Sequence, residues 1–263
     1  MEPMTEHRQS DTDARPLSGC SALITGASSG IGAATAMALA RQGAAVALAA
    51  RRAERLAELA AAITDQGGAS VPVIADLRDP AQARQAVEAT VERLGRLDVL
   101  VNNAGYAAMG TLEEGEPEDW DRMIDLNFRA VLHTSRAALP HLSRAAQDGP
   151  RGVADLVSVS SVAGRLARPG NSVYSATKHA VVALSESLRQ ELAGRGVRVG
   201  LVEPGLTRTE MTAEGAAASV ARGLPESRWL EAEDIARAIA FVVTQPPHAA
   251  VSEIMVRPTA QEH

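Results

Sequence analysis

The sequence predicts an α/β fold, a doubly wound seven-stranded parallel sheet flanked by helices, and three of its features lead there. From residue 21 onward, short apolar runs alternate with longer stretches whose apolar residues recur three and four apart, the pattern of repeated βα units. A glycine-rich turn follows the first run and opens directly into a helix-like stretch. The composition is 46% hydrophobic yet holds only two each of Phe, Trp and Tyr, so Ala, Val, Leu and Ile must fill the core, as they do in a parallel sheet covered on both faces.

Taken in order, the short apolar runs place strands over 21–25, 45–49, 71–75, 98–101, 155–158, 197–202 and 253–256. The stretches between them have helical period and predict helices over 31–42, 53–65, 80–94, 117–139, 172–193 and 231–243. Right-handed crossovers among the first three strands set the ligand crevice outside the carboxyl ends of the sheet. Residues 1–18 are polar, contain two prolines and have no apolar period, which reads as a disordered leader. Residues 19–263 then form one domain of ordinary size, a single Rossmann-type unit. Within it, 206–228 is the one long non-periodic stretch, of a length proteins use for substrate lids.

A net charge of −6 with no concentrated basic patch argues against a nucleic-acid partner. No run is long and apolar enough for a membrane span. Cys20 is the only cysteine and no export-type segment opens the chain, so a reducing cytoplasm is the expected location. Six histidines are scattered without ligand spacing, and no metal site is expected. Of the 26 basic residues, Lys178 is the sole lysine.

Thr25 to Gly32 reads T-G-A-S-S-G-I-G. Its glycines permit a tight turn and close backbone approach, and the helix start behind it offers free N–H groups and a positive dipole end to a pyrophosphate. At the edge of the second strand, where an acid would bind a ribose 2′-hydroxyl, stand Arg51 and Arg52. Arginine there accommodates a 2′-phosphate, and Arg51 is the first choice. Tyr174 and Lys178 lie four apart at the start of a predicted helix, hence on one face. An ammonium near a phenol lowers its pKa toward the range useful for proton transfer.

Together with N-N-A-G at 102–105, S-V-S-S-V-A-G at 158–164 and E-P-G-L-T-R-T at 203–209, these motifs resemble the short-chain dehydrogenase/reductase family from about residue 18 to the C terminus. The resemblance implies an NADP(H)-dependent oxidoreductase moving a hydride between the nicotinamide and a ketone or aldehyde, or the matching alcohol. It implies Ser161 as the residue that bonds the substrate oxygen, Tyr174 as acid/base, Lys178 as holder of the nicotinamide ribose, and Asn127 as the residue that orders a water behind the lysine. Gly26, Ser28, Ser29, Gly30, Ile31 and Gly32 would cradle the phosphates. Asp76, with Leu77 beside it, would meet the adenine, while Asn103, Ala104 and Gly105 would line the ribose. Pro204, Gly205, Thr207 and Thr209 would position the carboxamide. Tyr106, Ala163 and Leu166 fall where substrate is expected, and Arg165, Arg168, Arg208 and Arg222 could meet a carboxylate. The tail is similar to the NADP-dependent 3-hydroxy acid dehydrogenase and clavaldehyde reductase branch. A homodimer or homotetramer is expected, since the family pairs its long helices about two-fold axes. The alternative is a non-catalytic NADP(H)-binding sensor on the same fold, because a fold does not fix an activity.

Overall fold

The computed structural model describes residues 15–213 and 226–261. The strands are β1 (Ser21–Thr25), β2 (Ala45–Ala50), β3 (Ala69–Ile74), β4 (Val99–Asn102), β5 (Ala154–Val159), β6 (Val197–Pro204) and β7 (Glu253–Val256). They form one parallel sheet in the order β3-β2-β1-β4-β5-β6-β7. The helices are α1 (Gly30–Arg41), α2 (Ala53–Asp65), α3 (Pro80–Leu94), α4 (Pro117–Ile124), α5 (Ala130–Asp148), α6 (Ser172–Glu191), α7 (Glu210–Ala213) and α8 (Ala232–Val243).

The period of two in the strands sorts the core into two layers. Ala22 and Ile24 of β1, Val46 and Leu48 of β2, and Val99 and Val101 of β4 face one side, where Leu39 of α1, Leu56 of α2 and Ile239 of α8 cover them. Leu23, Ala47 and Leu100 face the other, under Val87 of α3, Leu142 of α5 and Leu188 of α6. Each layer is closed by local signals. Asp79 caps α3 by accepting the Ala81 N–H at 2.8 Å, with Pro80 in the first turn and Gly95 left-handed at the end. Glu231 and Asp234 form a capping box on α8, satisfying N–H groups that would otherwise be orphaned. The strand order reverses between β1 and β4, so the crevice opens above Thr25 and Asn102.

Two expectations change. The leader does not extend through residue 18: Leu17 is wholly buried in the α1/α8 layer and its N–H donates to Gln42 O at 2.9 Å, a single apolar anchor that no periodic pattern could disclose. Residues 1–14 lie outside the described part. The helix predicted over 117–139 is instead α4, one π turn over Asp125–Arg129, and α5, which continues through Pro140 to Asp148. Pro140 and Arg136, whose carbonyl loses its usual partner, are both on the exposed side, whereas Leu142, Ala145 and Ala146 beyond them are buried. Burial of that next turn outweighs the break that proline imposes. The two ends of the predicted lid are joined, Arg208 N donating to Leu230 O at 2.7 Å and Leu230 N to Leu206 O at 3.0 Å. Residues 214–225, including Arg222, are outside the described part.

Candidate active site

A cleft of about 820 Å³ runs along the carboxyl ends of the strands. At one end, Gly26 stands at φ +67°, and a Cβ there would come within 2.8 Å of the Ala104 Cα, so both conformation and space require glycine. Gly32 is not among the residues that line the cleft; a Cβ on it would lie 2.3 Å from the Gly26 carbonyl oxygen and 2.6 Å from Asn103 Nδ2, so the absence of a side chain lets α1 press against the turn. Gly32→Ala is therefore expected to cost about 1–3 kcal/mol and to lower the melting temperature by several degrees. A thermal melt matching the wild type would refute that packing role.

The helix behind the turn is left open to an anion. Ser29, its N-cap, makes no side-chain cap bond, and the first turn carries no acid. Ser28, Ser29, Gly30 and Ile31 line the cleft, as do Arg51 and Arg52. The two arginines are held differently, and Arg52 is the one tied into the glycine turn. Its Nε and Nη2 donate to Ser28 Oγ at 3.1 and 2.9 Å, Nη2 donates to Ser29 Oγ at 2.7 Å, and Nη1 pairs with Glu210 Oε2 at 2.7 Å. Arg51 is exposed beside it and helps hold the Asp76 carboxyl below its usual range, after the stronger hydrogen bond from Arg78. Asp76 and Leu77 line the cleft, but the Asp76 carboxylate is tied to Arg78 by two nitrogens.

Asn103, Ala104 and Gly105 leave β4 along the floor of the cleft. Thr25, the last residue of β1, sets their path: its Oγ1 accepts from Asn103 N at 2.9 Å and Ala104 N at 3.0 Å, and its carbonyl accepts from Asn103 Nδ2 at 2.9 Å. Asn127 sits in the π turn, buried, and does not line the cleft. Its Oδ1 accepts from Tyr106 N at 2.7 Å, and its Nδ2 donates to Tyr106 O at 2.9 Å and Thr177 Oγ1 at 3.1 Å. It thus clamps the backbone that follows N-N-A-G to α6. Tyr106 lines the cleft, donating to Asp119 Oδ1 at 2.7 Å, with Arg122 stacked 3.6 Å from its ring centre.

Ser161, Tyr174 and Lys178 share the opposite wall. Ser161 caps the short 3-10 turn Val162–Gly164, its Oγ accepting from Ala163 N at 3.1 Å. Lys178 is only 5% exposed and its Nζ donates to Val159 O at 3.0 Å. Desolvation brings its pKa down to about 8, because burial disfavours the charged form. The phenol departs from expectation. Loss of water pushes Tyr174 above its ordinary value, and the hydrogen bond with Ser161 pulls only partly the other way. Lys178, with Nζ 5.7 Å from the ring centre and a bond spent on Val159, does not reverse it. Sequence spacing put the two groups on one helix face; it could not report how dry that face is.

Pro204, Gly205, Thr207 and Thr209 also line the cleft, as do Ala163, Leu166 and Tyr106. Of the arginines offered for a carboxylate, Arg165 is bound to Glu203 at 2.7 Å and Glu253 at 2.6 Å, and Arg208 to Glu231 at 3.1 Å. Arg168 lines the cleft. Sequence reasoning overlooked Thr25 as the peg for 103–104, Arg122 beside Tyr106, and Glu210 against Arg52. Only Thr25 had a signal, its place at the end of the first strand.

The short chain dehydrogenase family pattern matches residues 21–219. The chain is 36% identical over 237 residues to an uncharacterized oxidoreductase of Staphylococcus epidermidis, covering 90% of this chain and 96% of that protein. It is 38% identical over 259 residues to the glycine betaine reductase ATRR of Emericella nidulans, covering 97% of this chain but only 20% of that much longer enzyme. A Burkholderia cenocepacia short chain dehydrogenase in complex with NADP superimposes with a TM-score of 0.82 at 35% identity, over 92% of this chain and 98% of the other. A Brucella melitensis 3-ketoacyl-(acyl-carrier-protein) reductase complexed with NADH gives 0.83 at 32%, again over 92% and 98%. Its glycine turn, its serine, tyrosine and lysine on one cleft wall, and these matches along nearly the whole length place the chain in the short-chain dehydrogenase family of oxidoreductases.

Proposed function

We propose that the protein is an NADP(H)-dependent reductase of ketones or aldehydes, reversible to alcohol oxidation, of the 3-hydroxy acid dehydrogenase and clavaldehyde reductase type. The observation that carries this reading is a single cleft holding Ser161, Tyr174 and Lys178 at one end and the uncapped start of α1 with Arg51 and Arg52 at the other. That open helix end, rimmed by two arginines and two serine hydroxyls, suits a phosphate-bearing dinucleotide.

When bound, the dinucleotide supplies or accepts the hydride. The protein's own task is the proton and the oxygen. Ser161 and Tyr174 would fix the carbonyl oxygen through hydrogen bonds that strengthen as negative charge develops there. Tyr174, protonated at neutral pH as phenols ordinarily are and held so more firmly by burial, is set to donate rather than to accept, which suits reduction. Lys178, with a pKa of about 8, can return a proton toward the phenol.

NADPH is expected to bind at least about tenfold more tightly than NADH, with most of the difference lost in Arg52→Ala, since a charge-assisted bidentate contact is worth on the order of 2 kcal/mol. Titration of both cofactors checks it, and equal affinities in the wild type would refute the NADP(H) assignment. A screen of cofactor oxidation over aldehydes, β-keto acids and cyclic ketones would then fix the substrate class. Cofactor binding with no turnover on any of them would favour the sensor instead.

A further inference from the structure

We propose that Glu210 is a counter-charge at the 2′-phosphate end of the cleft, and that it sets how strongly the enzyme prefers NADPH to NADH. This rests on the NADP(H) reading and adds a specificity residue to it. At the edge of β2 the sequence offers two arginines and no acid, but the fold brings a carboxylate there from 158 residues away. Glu210 opens α7, directly after Thr209, which packs against the glycine turn closely enough that a Cβ on Gly30 would lie 3.1 Å from it. The carboxylate is therefore anchored over the turn through its own backbone.

Every nitrogen of the Arg52 guanidinium is engaged: Nη1 by Glu210 Oε2 at 2.7 Å, Nε by Ser28 Oγ at 3.1 Å, and Nη2 by Ser28 Oγ at 2.9 Å and Ser29 Oγ at 2.7 Å. An arriving phosphate must share or displace one of these partners. The serine hydroxyls can rotate and donate to it; an ionised carboxylate can only accept. The hydrogen bond from Arg52 holds the Glu210 carboxyl below its usual range, so it is charged throughout neutral pH. A 2′-phosphate, close to a dianion, is repelled by it, whereas a ribose 2′-hydroxyl can donate to it. Both side chains are nearly half exposed, at 46% and 47%, so water-like screening applies. One extra charge about 5 Å from a dianion then weakens binding roughly threefold to tenfold.

The test is calorimetric titration of the full chain, wild type and Glu210→Gln, with NADPH, NADH and the fragments 2′,5′-ADP and 5′-ADP. NADPH and 2′,5′-ADP should bind the variant at least about threefold more tightly, NADH and 5′-ADP within about twofold of wild type, and the gain should shrink as salt is added. Unchanged or weaker NADPH binding in a variant that melts like the wild type would overturn the proposal, as would a gain that salt leaves untouched. Arg52→Ala separates the two levels. If that variant keeps the full NADPH preference, the NADP(H) assignment at this end of the cleft fails; if it loses the preference while Glu210→Gln does nothing, only the role of Glu210 fails.

Discussion

Tyr174→Phe is expected to fold, to bind NADPH within about threefold of wild type, and to lose at least about a thousandfold in carbonyl reduction, within the range a positioned general acid contributes. The substitution removes one oxygen from a side chain that lines the cleft beside Ser161 and leaves the ring that lies along Lys178. Ser161 remains to hold a substrate oxygen, yet it cannot replace the lost proton at comparable rate, because a hydroxyl with an ordinary serine pKa is a far weaker acid than a phenol. The wild-type pH profile should carry the sign of the Tyr174 shift. Its phenol stands above the ordinary value, so reduction should hold level through neutral pH and fall only in the alkaline range, while alcohol oxidation, which needs the phenolate, should climb over that same range. Single-turnover rates with preloaded NADPH separate this from slow product release. A loss below about tenfold would mean that water supplies the proton and that Tyr174 is a wall residue.

Much of this site could be read from the chain before folding, for a definite reason. The glycine turn, N-N-A-G and Tyr174 to Lys178 are local: their geometry follows from a strand end, a helix start or a spacing of four on one helix face. The alternating strand residues likewise assign Ala22 and Ile24 to one layer and Leu23 to the other without reference to anything distant. What escaped is what depends on contacts far apart in sequence or on solvent. Glu210 meets Arg52 from 158 residues away in the sequence. Arg165, apparently available, is consumed by Glu203 and Glu253 on β6 and β7. The π turn aims Asn127 at the Tyr106 backbone, a geometry to which helical period is blind. The direction of the Tyr174 shift is likewise not legible from the spacing, which places an ammonium nearby but carries nothing about desolvation, the dominant cause.

Lys178→Arg is the second large effect, an expected loss of at least about a hundredfold in turnover with the fold retained. Arginine supplies every other cationic side chain of the Lys/Arg type in this chain, so a lone lysine at the cleft marks a place where guanidinium cannot substitute. The surroundings explain it. Nζ donates to Val159 O at 3.0 Å from a nearly buried position, a bond the longer planar fork could not make from the same place. The proton matters as well. A pKa of about 8 lets Lys178 give up a proton near neutrality, which arginine cannot do. The wild-type profile should therefore show an inflection near that value that Lys178→Arg lacks. Near-normal turnover with an unmoved profile would mean that positive charge alone suffices. The same depressed pKa fixes a stability test. Below about pH 8 the lysine is protonated in both folded and unfolded chains, and the folded chain bears the full burial cost. Between there and the unfolded value of about 10.4 the folded chain binds fewer protons, so wild-type stability from this group rises with pH. Lys178→Met, inactive but free of the buried charge, should melt about 2–4 °C higher than wild type near neutral pH for each kcal/mol so relieved, with the gap closing as pH climbs through that window. A gap that stays constant would show that Lys178 carries its proton there with no desolvation cost, and would remove the basis for its relay role.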